Sequence, residues 1–152
     1  MNPKSLIWGV KASFRGYVEA AGGSITLADG ARQREDGTFE FPASPDSQLN
    51  ITADGSATGS ARFEGTVSFE AHGGMLKSTL SEIGVEVGSE GLVLTALDTQ
   101  MNQGRCAIAT LQPTESHAGH TLSLTAQITM DGMYQIADNY PPGTELDPVH
   151  LN

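Results

Sequence analysis

The chain has 152 residues, enough for one domain with a substantial core and short for two. Its formal net charge of −10 leaves no broad positive surface, which argues against nucleic acid or anionic lipid as a partner. Eighteen glycines and seven prolines, with only 17% charged residues, favour a turn-rich β protein over a helical bundle. We therefore predict a single, mainly β domain over 1–152.

The N-terminal segment has helical periodicity. The apolar residues that recur there at spacings of three and four are Ile7, Val10, Phe14 and Tyr17. This spacing predicts an amphipathic helix from Ser5 to about Glu19. Pro3 and Ser5 suit its first turn, and Gly22-Gly23 suits its end.

After Gly23, apolar and polar residues alternate, which is typical of half-buried β-strands. The predicted strands are Ser24 to Ala28, Thr38 to Pro42, Leu49 to Ala53, Ala61 to His72, Met75 to Ser81, Val85 to Val87, Leu92 to Asp98, Arg105 to Leu111 and Leu122 to Met130. We expect loops over 112–119 and after Asp138, with a last short strand at 149–151. The series predicts antiparallel sheets in a β-sandwich or partly open barrel, with the N-terminal amphipathic helix packed on it.

The predicted strand from Ala61 to His72 separates two faces. Its apolar face carries Phe63, Val67, Phe69 and Ala71. His72 falls on the polar face, which makes its imidazole available to a surface pocket. A β-bulge at Gly65 or Gly73 would shift this register.

Cys106 is the only cysteine, so an internal disulfide is excluded. Its strand-like neighbours predict core packing, with a thiolate iron ligand as a remote alternative. His117 and His120 have a spacing that could hold a metal, but their glycine-containing loop favours solvated side chains. We expect His150, near the C-terminus, to be exposed.

The sequence contains no nucleophile elbow, phosphate loop, dinucleotide fingerprint or zinc-protease motif, so we predict a protein that is not an enzyme. Neither a secretory signal pattern nor a stretch able to span a bilayer is visible. This predicts a cytoplasmic protein without membrane insertion. The alternative is a trimmed mature form of a secreted or cell-surface protein.

Three segments, in this order along the chain, carry a resemblance to a known family. They are WGVKASFRGY (Trp8–Tyr17), FEAHGGML (Phe69–Leu76) and YPPGTELDP (Tyr140–Pro148). Blocks at 23–31, 39–42 and 80–87 extend it between them. Together they resemble the HtaA-type haem-binding domain, the haem-uptake module of certain Gram-positive bacteria.

The resemblance implies a non-catalytic haem-binding protein for haem uptake, transfer or storage. In the family, a tyrosine of the first segment is the axial ligand of haem iron, and a histidine of the second segment hydrogen-bonds it. The matching positions are Tyr17 and His72. A phenolate oxygen favours ferric iron, so the implied cofactor is ferric protoporphyrin IX.

Haem also requires apolar walls and polar partners for its propionates. The residues beside the two key positions that would supply walls are Phe14, Ile7, Met75 and Leu76. The candidates for the propionates are Ser13, Arg15, Ser24 and Lys77. The implied partners are haem and another haem-carrier protein, and an open iron face would allow a homodimer on haem loading.

Other interpretations stay open. Tyr17 can be a helix-face aromatic that only packs onto the sheet, with His72 a surface residue at a strand end. The family usually has a longer segment after the tyrosine than 18–22 provides, which motivates an interaction domain of the same fold that has lost haem. Peroxide chemistry by a tyrosine-ligated haem is a third hypothesis, but the sequence offers no distal acid–base group for it.

Overall fold

The computed structural model describes residues 3–52, 56–89, 91–99, 104–114, 121–137 and 139–152. Its strands are β1 (Ser5–Trp8), β2 (Ser24–Ala28), β3 (Arg32–Gln33), β4 (Phe39–Pro42), β5 (Asn50–Ile51), β6 (Ala57–Thr58), β7 (Ser60–Arg62), β8 (Thr66–Ala71), β9 (Leu76–Ser81), β10 (Gly84–Gly88), β11 (Gly91–Leu97), β12 (Arg105–Pro113), β13 (Leu122–Ile128) and β14 (Glu145–Leu151). The helices are α1 (Ala12–Ala20) and α2 (Met130–Gln135), with a 3-10 turn at His72–Gly74.

Two antiparallel sheets enclose the core. The larger has nine strands in the order β3-β4-β1-β14-β13-β12-β11-β10-β7, and the smaller has the order β2-β8-β9. Both contribute to one hydrophobic cluster, which includes Trp8 and Leu94 from the large sheet and Val67 and Leu80 from the small one. The predicted antiparallel, mainly β architecture with an N-terminal helix is confirmed.

An aromatic contact joins α1 to both sheets. The ring of Phe69 on β8 lies 4.9 Å from that of Phe14 on α1 and 5.9 Å from that of Phe39 on β4. All three side chains are buried. Each contributes roughly 1.5 to 3 kcal/mol by leaving water, so this cluster holds α1 against the sheets.

The prediction of one helix from Ser5 to Glu19 is wrong in its first half. Ser5–Trp8 is a strand, because β1 lies between β4 and β14 and takes its hydrogen bonds from both. Val10 has a positive φ of 64°, which separates the strand from the helix. Pro3 and Ser5 therefore do not begin a helix.

The predicted strand from Ala61 to His72 is two strands in different sheets. β7 pairs with β10 in the large sheet, whereas β8 pairs with β2 and β9 in the small one. Gly65, with a φ of 122°, lies between them. The predicted apolar face is confirmed, since Phe63, Val67, Phe69 and Ala71 are all buried.

The C-terminal third departs further from the predictions. The strand that we expected to reach Met130 ends at Ile128, and α2 follows, with Thr129 Oγ1 accepting the N–H of Gly132 as its N-cap. β14 begins at Glu145, earlier than the expected 149, and contains Pro148. The register of β13 and β14 shifts between the pairs Leu124–Val149 and Ala126–Leu146, where β14 has two residues opposite one of β13; this extra residue accommodates Pro148 in the sheet. Neither helix in the described ranges has the length and apolarity to cross a membrane.

Candidate functional site

The side chains of Tyr17 and His72 meet at the surface. Tyr17 Oη lies 2.6 Å from His72 Nε2, and the two ring centres are 5.7 Å apart. Both residues are exposed, Tyr17 by 49%. Phe14 and Val18 form the buried stripe of α1, so Tyr17 stands on the flank of the helix and not on its packing face.

His72 reaches the phenol because the chain turns sharply after β8. The φ angles of His72, Gly73 and Gly74 are 54°, 67° and 94°, all in the left-handed region. Glycine adopts this conformation freely, and histidine is among the few other residues that tolerate it. The turn directs the imidazole away from the axis of β8, so that its Nε2 contacts the Tyr17 hydroxyl on α1. Non-glycine residues held in this region concentrate at functional sites.

The phenol–imidazole pair can exist in two hydrogen-bonded forms. With the proton on Tyr17, the phenol donates to His72 Nε2. With the proton on Nε2, the imidazole donates to a phenolate oxygen. The pair therefore keeps its hydrogen bond when the tyrosine oxygen becomes an anionic ligand.

A cleft of about 590 Å³ opens beside Tyr17. Its lining residues are Tyr17, Met75, Leu76, Lys77, Met133, Tyr134, Ile136, Ala137 and Asn139. Met75 is 91% exposed and Tyr134 56% exposed. Large apolar side chains left in water around a concave surface mark a site for a ligand or partner, and this volume is in the range of small-molecule sites.

The side of the cleft formed by Met133, Tyr134 and Ile136, which we call the far wall, is held in place by a largely buried polar network. Gln135 at the end of α2 donates from Nε2 to Asp98 Oδ1 at 2.8 Å, and its Oε1 accepts from Thr99 Oγ1 at 2.7 Å. Ser78 Oγ on β9 donates to the Gln135 carbonyl oxygen at 2.5 Å. Ser78, Asp98 and Gln135 are buried, and each forms a hydrogen bond within this network, so the network holds α2 in one position relative to β9.

The side of the cleft formed by Tyr17 on α1, which we call the near wall, is positioned by contacts to the C-terminal strand β14. The N-cap residue Lys11 provides no side-chain cap for α1; instead Asp147 Oδ1 accepts the N–H of Ala12 at 3.0 Å. Asp147 Oδ2 pairs with Arg15 Nη1 at 2.7 Å, and the same nitrogen donates to the Gly9 carbonyl at 2.6 Å. These contacts set the position of the helix that carries Tyr17.

The structure brings together only some of the predicted site residues. Tyr17, Met75, Leu76 and Lys77 line the cleft, and His72 bonds to Tyr17. The expectation that Phe14 and Ile7 form walls is not met, because Phe14 is 1% exposed in the core and Ile7 lies on β1.

The polar candidates lie elsewhere. Ser13 Oγ is 3.4 Å from Tyr140 Oη, and Ser24 is an exposed residue on β2 opposite Glu70. Arg15 is engaged by Asp147. None of these three lines the cleft.

Sequence reasoning missed the far wall entirely. Met133, Tyr134 and Ile136 lie on or just after α2, in a segment for which the sequence predicts no element, between the strand predicted to end at Met130 and the loop expected after Asp138. The available signal was Thr129 followed three residues later by Gly132, a hydroxyl cap before a short helix. It is weak, because glycine inside a helix contradicts it.

The remaining candidates stay apart from the cleft. Cys106 is half-buried against the core, and burial raises the pKa of its thiol to about 11, so it is protonated at neutral pH. His150 is partly buried and bonds to Ser123 Oγ at 2.9 Å, which corrects the expected exposure. His117 and His120 lie outside the described residues. Within the described ranges, no group of three or more His, Cys, Asp or Glu side chains could hold a metal ion.

Comparison with known proteins identifies the family. The family model described as Htaa matches residues 4–152, so the chain belongs to the Htaa family. No curated protein sequence matches the chain significantly.

Solved structures agree with this assignment. The C-terminal domain of HtaA from Corynebacterium glutamicum is 28% identical, with a TM-score of 0.73 and coverage of 99% of this chain and 96% of that one. The N-terminal domain of the same protein is 27% identical, with a TM-score of 0.72 and coverage of 97% and 95%. The heme binding protein HtaB of that organism, at 20% identity, has the same fold, with a TM-score of 0.70 and coverage of 99% and 92%.

Proposed function

We propose that this protein binds ferric haem in the cleft beside Tyr17 and holds it for uptake, transfer or storage. The observation that carries the proposal is the 2.6 Å contact between an exposed phenol and an imidazole at the edge of a cleft that Met75, Leu76, Met133 and Ile136 help to line. Membership of the Htaa family and the name of the similar heme binding protein HtaB support the choice of ligand.

The residues present suit a flat, largely apolar group that carries ferric iron. Met75, Leu76, Met133 and Ile136 offer apolar contact, and Tyr17 offers a hard oxygen donor at the same cleft. Bound haem would supply a ferric iron that accepts such an oxygen. Tyr17 would then hold the iron, and His72 would stabilise the phenolate through Nε2.

The residues of the cleft favour reversible binding of haem over catalysis. The described residues around the cleft include no second histidine, cysteine or carboxylate facing Tyr17 that would act on a bound small molecule. A single protein ligand and an open cleft permit release to another haem carrier, which we propose as the partner of this protein.

Titration of the apo-protein with hemin tests the proposal, with metal-free protoporphyrin IX as the matched control. We expect hemin to saturate at one equivalent with a high-spin spectrum and a phenolate-to-iron band. The porphyrin without iron should bind at least tenfold more weakly, because it cannot use the tyrosine oxygen. Hemin absorbance that rises linearly, without saturation, would instead indicate an interaction domain of this fold that has lost haem.

A further inference from the structure

Two arginines converge over a glycine at the opposite end of the β8–β9 hairpin. Arg62 is the last residue of β7, and Arg105 is the first of β12. A β-carbon at Gly84 on β10 would lie 2.7 Å from Arg62 Nη1 and 2.8 Å from Arg105 Nη2. The missing side chain of Gly84 therefore leaves the space over this strand that the ends of both guanidinium groups occupy.

Within the part of the chain that the structure describes, neither guanidinium forms an ion pair. Arg105 Nη2 donates to Thr95 Oγ1 at 2.5 Å, but Arg105 Nε and Arg62 Nη1 are buried without a hydrogen-bond partner. Burial, and next the charge of Arg62, lower the pKa of Arg105, while Glu86 and Glu82 oppose that shift. Two partly desolvated cations therefore lie side by side, and in the described residues neither has a carboxylate in ion-pair contact.

Both arginines line a cleft of about 640 Å³. Its acidic lining residues are Asp29, Asp46, Glu64 and Glu82. These four carboxylates outnumber the two arginines, but they are exposed and screened by water, whereas the guanidinium groups are partly buried. The site therefore favours a ligand with a single negative charge over a dianion, which the carboxylates repel more strongly. A planar carboxylate also matches the fork of a guanidinium group.

We propose that Arg62 and Arg105 form a binding site for a small organic acid with one carboxylate group. Gly84 is a positioning residue in this site, since its missing side chain leaves room for the two guanidinium groups. The site is separate from the cleft at Tyr17. The six residues of β8 lie between the two, a span of roughly 20 Å at about 3.3 Å per residue.

The test is an NMR titration of the full chain with sodium acetate, following the arginine Nε–H signals and the Gly84 amide. Sodium phosphate is the dianion arm, and sodium chloride controls for ionic strength. We expect saturable shifts with acetate, weaker binding of phosphate and no saturation with chloride. Acetate shifts that match those of chloride would overturn the proposal, and tighter binding of phosphate would overturn the choice of a monocarboxylate.

Two kinds of variant locate the site. Arg62→Gln removes one cation, and Gly84→Ala keeps both cations but displaces the flexible ends of both arginines. Each should weaken acetate binding at least tenfold. The matched controls are Arg32→Gln, an exposed arginine on β3, and Gly16→Ala, where a β-carbon would meet nothing within 4 Å; both should bind acetate like the parent. Equal affinity in Gly84→Ala and the parent would contradict the proposal even if Arg62→Gln fails to fold.

Discussion

Tyr17 Oη and His72 Nε2 lie 2.6 Å apart, although the residues are 55 positions apart in sequence. Tyr17 lies on a regular helix, whereas the backbone of His72 has a φ of 54°. A surface hydrogen bond contributes only about 1 kcal/mol net, too little to impose these conformations. The contact is therefore built by the packing of α1 on β8 and by the turn after β8.

Tyr17→Phe should abolish the phenolate-to-iron band and weaken hemin binding by more than about 100-fold, because it deletes the oxygen donor and leaves the ring. The measurement is the hemin titration described above. Tyr140→Phe is the control, since its hydroxyl contacts Ser13 outside the cleft. If Tyr17→Phe keeps the parent spectrum and affinity, another group holds the iron.

His72→Asn should weaken hemin binding by about 10- to 100-fold, less than the loss at Tyr17, because it removes the partner of the ligand and not the ligand. Asparagine tolerates the left-handed conformation of this position, so the turn is preserved. His150→Asn, away from the cleft, is the matched control. An unchanged affinity in His72→Asn would remove His72 from the site.

Reduction of the bound iron should speed haem release, because an anionic phenolate stabilises ferric more than ferrous iron. Transfer to apomyoglobin, followed with and without dithionite under anaerobic conditions, measures this. Faster transfer from the ferric protein would argue against the oxygen of Tyr17 as ligand.

Asp147→Ala should lower the free energy of unfolding by about 1 to 3 kcal/mol, because it removes both the cap on Ala12 and the ion pair with Arg15. Asp147→Asn keeps an oxygen that can accept the Ala12 N–H, so its free energy of unfolding should fall less than that of Asp147→Ala. Urea denaturation measures both variants. The control is Glu40→Gln, which breaks the ion pair to the 76% exposed Arg32 side chain and should cost at most about 0.5 kcal/mol. Equal losses in Asp147→Ala and Glu40→Gln would show that Asp147 does not anchor α1.

Cys106 should react slowly with thiol reagents at pH 8. Burial raises its pKa from 9.0 to about 11, which lowers the thiolate fraction at pH 8. Because the thiol is partly exposed, we expect the folded protein to react about 10- to 100-fold more slowly than the unfolded chain. Labelling with iodoacetamide in buffer and in 6 M guanidinium, which unfolds the chain, gives the ratio. Equal rates in the two conditions would show that the thiol is not shielded by the fold.

The strand pattern was readable from the sequence because alternation reports which face of a strand is buried, as at Val67 and Phe69. β1 was misread as helix because Ile7, Val10 and Phe14 coincide with helical spacing. The pairing of that segment with β4 and β14 decides its conformation, and local periodicity does not report a partner so far along the chain.

Only part of the site could be predicted, because local sequence patterns do not report contacts between distant segments. Family resemblance points to Tyr17 and His72, but no spacing rule brings residues 55 positions apart into contact. The far wall was missed because α2 has six residues and carries Gly132 in its interior. That glycine is required by tertiary packing, since a β-carbon there would clash with the Ile108 carbonyl, and intrinsic helix propensity argues against it.

The cap that Asp147 provides for α1 has a consequence for biosynthesis. The carboxylate and the helix that it caps are 135 residues apart, so a chain emerging from the ribosome has its tyrosine long before it has the residue that fixes the tyrosine's helix. Contacts of such long range close late in folding. The ability to bind a ligand at Tyr17 should therefore arise only after β14 has been synthesised and has joined β1 and β13.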